Sequence, residues 1–170
     1  MATKGNFGDL ADPNAVLVGV GQLAVSKHPK YLITQALGSC IGLSLYDPVL
    51  KQGGLAHIML PTPFDSTLDG QEHRFASTAV PMMVKMLSEH GSMRRRLEAK
   101  LAGGAAMFRA DAILAQVGIR NVEETKRQLA LLNIPIIAED TGERHARTVE
   151  LHLDLGTYVV RSYQYGVKRL

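Results

Sequence analysis

The feature that most constrains the fold is a series of short runs in which apolar residues alternate with other residues. Alternation over four to eight residues is the spacing of a β-strand with one buried face. The runs are residues 15–26, 31–37, 41–46, 54–60, 94–102, 134–138 and 146–163, the last of which holds two strands. Turn signals separate them, such as Asp47 followed by Pro48. The sequence therefore predicts about eight strands, joined mostly by hairpins.

Two further segments have helical spacing. Residues 75–87 place apolar side chains every three or four positions, and Pro81 lies inside that pattern. Residues 121–132 form the second predicted helix, with Asn121 as its N-cap and Glu124 completing a capping box. Hairpin-connected, mostly antiparallel strands with two or three helices predict an α+β fold, a layered α/β sandwich, rather than a regular βαβ winding.

Composition limits the domain count and the classes of function. A chain of 170 residues with 46% apolar content can bury a core of one domain. We expect a loose leader over residues 1–14 and a single domain over residues 15–165. A formal net charge of +3 favours neither a nucleic acid nor a membrane surface as partner. Because the chain has neither an apolar run of about 20 residues nor a secretory leader, we expect a cytoplasmic protein.

The glycine and histidine patterns do not fit a cofactor or a metal. Residues 38–42 are not followed by Gly-Lys-Ser/Thr, and residues 103–104 lack dinucleotide-binding spacing, so nucleotide binding is not predicted. The six histidines are scattered, without the short spacing of metal ligands. The basic triplet 94–96 is interpreted as a solvated strand edge rather than a nucleic-acid site. We therefore expect no cofactor, no metal and no nucleic acid.

Cys40 is the only cysteine, so it cannot form an internal disulfide or a thiolate metal cage. If residues 47–50 form a hairpin loop, Tyr46 pairs with Lys51, and Cys40 faces His57 with Cβ atoms about 5 Å apart. A slip of one residue would put the two on opposite faces. Imidazole beside a thiol can stabilise thiolate and histidinium and later protonate a leaving group. The spacing leaves two alternatives open: a nucleophile with its base, or a packed core cysteine with a satisfied histidine.

Other groups near this turn could complete a catalytic site. The Thr34 hydroxyl, just upstream, could accept a hydrogen bond from an imidazole N–H, and Ser39 and Ser44 are possible substitutes. Taken alone, Thr34 is better explained as an ordinary strand threonine. Backbone N–H groups of Gly38, Ser39 and Cys40 could form an oxyanion hole.

Longer segments of the chain resemble one family in order. They are residues 37–40 (Leu-Gly-Ser-Cys), 46–50, 53–61, 100–108, 118–122 and 134–140. Together they resemble the chemoreceptor glutamine deamidase family, CheD, over about residues 15 to 160, around a cysteine-to-histidine spacing of 17. The family's catalytic cysteine and histidine fall on Cys40 and His57, and its catalytic threonine falls on Thr34.

The resemblance implies hydrolysis of specific glutamine side chains of methyl-accepting chemotaxis receptors to glutamate and ammonia, through a cysteine thioester. It also implies a fold similar to bacterial toxin deamidases and a CheC-type phosphatase as regulatory partner. Residues 142–147 depart from the family's glycine-richer turn, which weakens expectations about docking at that surface. Two alternatives stay open: a non-catalytic module that binds receptors or a phosphatase, and a cysteine peptidase or transglutaminase-like acyltransferase. Thiol alkylation and product mass would separate them.

Overall fold

Ten strands and two α-helices are found in the part of the chain that the computed structural model describes, residues 11–65, 68–107 and 112–170. The strands are β1 (Ala15–Leu17), β2 (Leu23–Lys27), β3 (Tyr31–Leu37), β4 (Ile41–Asp47), β5 (Gln52–Ile58), β6 (Glu98–Gly103), β7 (Ile136–Thr141), β8 (Arg147–His152), β9 (Thr157–Ser162) and β10 (Gly166–Arg169). The helices are α1 (Ala76–Glu89) and α2 (Ala112–Leu131). Most of the predicted leader lies outside the described residues, and β10 extends the sheet beyond the expected boundary at residue 165.

The strands form two five-stranded sheets. The first sheet has the order β1-β3-β8-β9-β10, and the second has the order β2-β5-β4-β6-β7. The β1–β3 and β6–β7 pairs are parallel, and the other pairs are antiparallel. Helix α2 connects β6 to its parallel neighbour β7, whereas β4–β5 and β8–β9–β10 are consecutive antiparallel strands. The prediction of an α+β layered sandwich with mostly antiparallel strands is confirmed.

The second sheet is the middle layer of the molecule. Its strands β4 and β5 are buried along their whole length because both faces of the sheet are covered. One face packs against the helices in a helix-side core that includes Leu43, Met83 and Leu129. The other face packs against the first sheet in an inter-sheet core that includes Leu55 and Tyr158. Since side chains alternate along a strand, neighbouring residues of β4 and β5 serve different cores.

The register of the β4–β5 hairpin differs from the prediction by two residues. Tyr46 pairs with Gly53 rather than with Lys51, and Asp47 is the last strand residue before the loop. The Asp47 carboxylate accepts hydrogen bonds from the N–H groups of Val49 and Leu50, at 3.0 and 3.3 Å. Lys51 closes the loop with a positive φ of 50°. The loop therefore begins one residue later and ends one residue later than the pattern indicated.

The second helix also differs from the prediction. It begins at Ala112 rather than after Asn121, so Asn121 is not an N-cap but lies in the interior of α2. Its buried residues Gly118, Asn121, Thr125 and Leu129 recur every three or four positions, as expected of one helix face. Helix α1 agrees with the prediction and continues through Pro81.

The basic triplet is not part of a strand. Residues Arg94–Arg96 form a 3-10 turn, and β6 begins only at Glu98. Arg96 donates hydrogen bonds to the Asp47 carboxylate, the shortest at 2.8 Å, so the turn anchors the end of the β4–β5 hairpin. The prediction of a solvated strand edge is wrong, because the three arginines form a turn rather than a strand and the Arg96 guanidinium makes an ion pair.

Candidate active site

His57 and Thr34 meet between the two sheets. Thr34 lies on β3 of the first sheet and His57 on β5 of the second, and both are fully buried. The Thr34 Oγ1 and His57 Nδ1 atoms are 2.7 Å apart. The structure therefore brings together the histidine and the threonine that the sequence singled out.

The hydrogen bonds of Thr34 determine which imidazole nitrogen carries the proton. Its hydroxyl donates to the Val18 carbonyl at 2.7 Å, so its oxygen is left to accept from His57. Nδ1 of His57 must then be the protonated nitrogen, and Nε2 holds a free lone pair. Nε2 is buried and has no hydrogen-bond partner among the described residues. An imidazole held in this tautomer is arranged to accept a proton at Nε2.

Burial keeps the imidazole neutral. Removal of His57 from water lowers its pKa to about 4, because the charged form loses its hydration. The imidazole is therefore available as a base at neutral pH. This differs from the thiolate–histidinium pair that the sequence suggested.

Cys40 lies on the same face of the second sheet as His57. It immediately precedes β4 and packs, half-buried, against the inter-sheet core. His57 is directly opposite Gly42, not Cys40, so the predicted direct pairing is wrong by two residues. A shift of two residues preserves the face, whereas a shift of one would not. Cys40 is thus a diagonal neighbour of His57, and such neighbours lie about 7–8 Å apart, within reach of a ring side chain.

Gly42 allows the two sheets to approach closely beside His57. A Cβ at this position would lie 2.7 Å from the hydroxyl oxygen of Tyr158 on the first sheet. That hydroxyl donates to the Gly42 carbonyl at 2.7 Å. Glycine is therefore required where the imidazole and the first sheet meet.

The Cys40 thiol is protonated in its resting state. Burial raises its pKa above the ordinary value, and a hydrogen bond from the backbone N–H of Cys40 opposes part of that increase. The same N–H group is the type of donor that stabilises an oxyanion next to a nucleophile. Because the thiol and the imidazole are both neutral, the thiol must lose its proton to the imidazole when the sulfur acts as a nucleophile.

Two carbonyls of the segment that carries the thiol accept hydrogen bonds from residues just after β6. Ala105 N–H donates to the Gly38 carbonyl and Gly104 N–H donates to the Cys40 carbonyl, both at 2.9 Å. Gly103 has a φ of 105°, and a Cβ there would collide with the Cys40 carbonyl oxygen. The end of β6 therefore fixes the Cys40 backbone from one side.

Asn121 holds the Ser39 carbonyl and was missed as a site residue. Its Nδ2 donates to the carbonyls of Ser39 and Met59, each at 2.9 Å. Asn121, Thr125 and Leu129 are spaced four residues apart, and this spacing on one helix face is the sequence signal that Asn121 faces the core. Ser44, a predicted substitute for Thr34, instead donates to the Lys100 carbonyl at 3.3 Å.

No group of three or more His, Cys, Asp or Glu side chains among the described residues is placed to hold a metal ion. None of the helices in the described ranges is both long and apolar enough to cross a membrane.

A layered α+β sandwich holds a thiol and a tautomer-fixed imidazole on the same face, and these are the two types of group that a cysteine-dependent hydrolase uses. Residues 59–162 match the family described as CheD chemotactic sensory transduction. The chain belongs to the CheD family.

Named relatives extend this match over most of the chain. The "Chemoreceptor glutamine deamidase CheD" of Bacillus licheniformis is 42% identical over 159 residues, 92% of this chain and 95% of the relative. The protein of the same name from Thermotoga maritima is 41% identical over 150 residues, 88% of this chain and 93% of the relative. The "Probable chemoreceptor glutamine deamidase CheD" of Clostridium novyi is 39% identical over 157 residues, with 91% and 97% covered.

Proposed function

We propose that this protein is a chemoreceptor glutamine deamidase in which Cys40 is the nucleophile, His57 the general base and Thr34 the residue that orients the imidazole. The observation that carries the proposal is the 2.7 Å hydrogen bond between Thr34 and His57, which leaves Nε2 free on the face where Cys40 lies. The names of the relatives support receptor glutamine side chains as the substrate.

The first half of the reaction forms a thioester. Sγ of Cys40 attacks Cδ of the substrate glutamine, and its proton passes to Nε2 of His57. The C–N bond of the tetrahedral intermediate then breaks, and the nitrogen leaves as ammonia with the proton from Nε2. The enzyme is left acylated at Cys40 with a neutral His57.

The second half of the reaction releases glutamate. Water attacks the thioester carbonyl and gives a proton to Nε2 of His57. The C–S bond breaks, and the proton returns to Sγ, which restores the thiol. The net change is one glutamine amide and one water converted to glutamate and ammonia.

Backbone N–H groups around Gly38, Ser39 and Cys40 are proposed to bind the oxyanion. The carbonyls of all three residues already accept hydrogen bonds from elsewhere in the protein, at 2.9 Å each. The Gly38 and Ser39 carbonyls share peptide planes with the N–H groups of Ser39 and Cys40, so these bonds hold two of the three donors in one orientation, as an oxyanion hole requires. The Cys40 N–H is one of these candidates, and it also lowers the pKa of the adjacent thiol.

Product mass tests the proposed reaction. Purified protein is incubated with receptor cytoplasmic domains, and the receptor is analysed peptide by peptide by mass spectrometry. Deamidation adds about one dalton at particular glutamines, because an amide –NH2 is replaced by –OH. Peptide cleavage would indicate a cysteine peptidase, an added amine would indicate a transglutaminase-like acyltransferase, and unchanged receptor would favour a binding module.

Two further features follow from the same proposal. Acting on the cytoplasmic domains of receptors requires that the protein work in the cytoplasm.

A CheC-type phosphatase is proposed as the regulatory partner, on the resemblance alone. Titrating such a phosphatase into the deamidation assay tests this: a saturable change in rate is expected, and an unchanged rate at saturating partner contradicts it.

A further inference from the structure

Asn121 connects the two segments that carry Cys40 and His57. It lies in the interior of α2, fully buried. Ser39, whose carbonyl it binds, directly precedes Cys40, and Met59, whose carbonyl it also binds, is two residues beyond His57. A single side-chain nitrogen therefore donates to both segments.

These two bonds replace strand pairing at the end of the hairpin. The last pair of the β4–β5 ladder is Ile41 with Ile58, so Ser39 and Met59 lie beyond it. Carbonyls past the end of a ladder need another donor when they are buried. The two N–H groups of the Asn121 amide supply one donor to each segment, and two carbonyl acceptors identify that atom as nitrogen rather than oxygen.

We propose that Asn121 is a positioning residue for the deamidation reaction: it holds the Cys40 segment at a constant distance from the end of the His57 strand. The inference rests on the proposed function and adds a residue that acts through the other two. Asn121 does not itself contact the reacting atoms.

The polar side chain at this position carries two costs. Asparagine is a poor residue for a helix interior. Its Oδ1 is buried and has no hydrogen-bond partner among the described residues, which costs free energy. An apolar residue would avoid both costs but would leave the Ser39 and Met59 carbonyls without this donor, so the amide is explained by its two donated hydrogen bonds.

Helix α2 also packs directly against Gly104 and Ala105, the residues that hold the Cys40 segment. A Cβ at Gly118, one turn before Asn121, would lie 2.7 Å from the carbonyl oxygens of both Gly104 and Ala105. The N–H groups of these two residues bind the carbonyls of Cys40 and Gly38. Helix α2 thus supports the Cys40 segment through Gly118 and the His57 strand through Asn121.

The test replaces the amide and keeps its size. Asn121→Asp removes the two donors and puts a carboxyl against two carbonyls, and Asn121→Leu removes both donors and the unpaired Oδ1. Thr125→Val is the matched control, because it removes another buried hydrogen bond of α2, from the Thr125 hydroxyl to the backbone carbonyl of Asn121 at 2.7 Å, and leaves the Asn121 side chain and its two donated bonds in place.

Four quantities are measured for each variant: the unfolding midpoint, kcat for receptor deamidation, its KM, and the pH profile of Cys40 alkylation by iodoacetamide. We expect kcat of both Asn121 variants to fall by about tenfold to a hundredfold, as for a misplaced catalytic group, with little change in KM. Cys40 alkylation should become faster than in wild type, because a loosened segment exposes the thiol. Thr125→Val should match wild type in kcat and in alkylation.

Several outcomes would overturn the proposal. One is a folded Asn121→Leu variant with kcat and alkylation equal to those of Thr125→Val, and another is an effect confined to KM. If neither Asn121 variant folds, the residue is structural and the proposal is wrong. If wild type releases no ammonia from receptors, the proposed function fails instead, and the alkylation profiles of folded variants alone decide whether Asn121 positions Cys40.

Discussion

The two faces of the second sheet are built from the same strands but have different chemistry. On the helix side, Leu43 and its neighbours belong to the apolar helix-side core. On the inter-sheet side, the same strands present His57 and bring Cys40 close to it, beside Thr34 of the first sheet. Because side chains alternate along a strand, the helix-side face can contribute apolar packing while the inter-sheet face holds polar groups. The positions of those polar groups depend on a stably folded sheet. Substitutions on the two faces should therefore separate stability from activity.

The largest effect is expected on the inter-sheet face at His57. His57→Ala should lower kcat for deamidation by roughly 10²–10⁴-fold, because both proton transfers pass through Nε2. The rate of ammonia release is the measurement. Leu55→Ala is the control, since Leu55 is two residues earlier on the same face of the same strand. That variant should lose stability but keep most of its kcat below its melting temperature, and an equal loss of kcat in both variants would contradict the assignment.

The helix side should show the opposite pattern. Leu43→Ala is expected to reduce the free energy of unfolding by about 2–5 kcal/mol, because Leu43 is fully buried and truncation leaves a cavity. Urea unfolding measures this change. At a temperature where the variant is folded, kcat should stay close to wild type. A large loss of kcat in the folded variant would show that the two faces are not separable.

A smaller effect is expected at Thr34. Thr34→Val leaves the Val18 carbonyl and Nδ1 of His57 without their partner, at a cost to stability of about 1–3 kcal/mol. Loss of the hydroxyl also frees the imidazole to change tautomer, so kcat should fall by about tenfold. Thr34→Ser keeps the hydroxyl and should retain most of the activity. Equal activity of the Val and Ser variants would contradict an orienting role.

The smallest effect is a dependence of stability on pH. Burial lowers the pKa of His57 to about 4, whereas an unfolded histidine titrates near 6.5. The unfolded state therefore binds the proton first, and stability should fall as the pH decreases from about 6.5 towards about 4. His145, whose pKa burial and Arg147 also lower, contributes in the same direction.

The contribution of His57 is isolated by comparison with His57→Leu. Unfolding free energies of the two proteins are measured between about pH 7 and pH 5. Asp140 and Glu150, whose pKa values ion pairs and hydrogen bonds lower in the folded protein, are present in both proteins, so their contribution cancels in the comparison. The slope should be steeper for wild type than for the variant. Identical slopes would mean that His57 is not held neutral by burial.

Much of this arrangement could be predicted from sequence because alternation and spacing are local signals. They located β3, β4, β5 and α1, and they put Cys40 and His57 on the same face. The register could not be predicted, because it depends on the Asp47 side chain bonding to the loop and on Lys51 adopting a positive φ. The predicted register nevertheless kept the correct face, because the error was two residues rather than one.

The role of Asn121 could not be predicted from the sequence for a different reason. Asparagine three residues before Glu124 has the pattern of a capping box, which is a local signal. The helix instead begins at Ala112, and the side chain is used in contacts with Ser39 and Met59, far away in the sequence. Only the packing of α2 against the second sheet reveals them.

The central claim is that receptor glutamines are deamidated through the Cys40 thiol. Its most direct test is the rate of ammonia release from receptor cytoplasmic domains by wild type and by Cys40→Ala, with unfolding midpoints measured in parallel. The chain has no other cysteine that could substitute. We predict that Cys40→Ala folds with an unchanged midpoint and releases no ammonia above the enzyme-free rate. Turnover by folded Cys40→Ala at the wild-type rate would contradict the account.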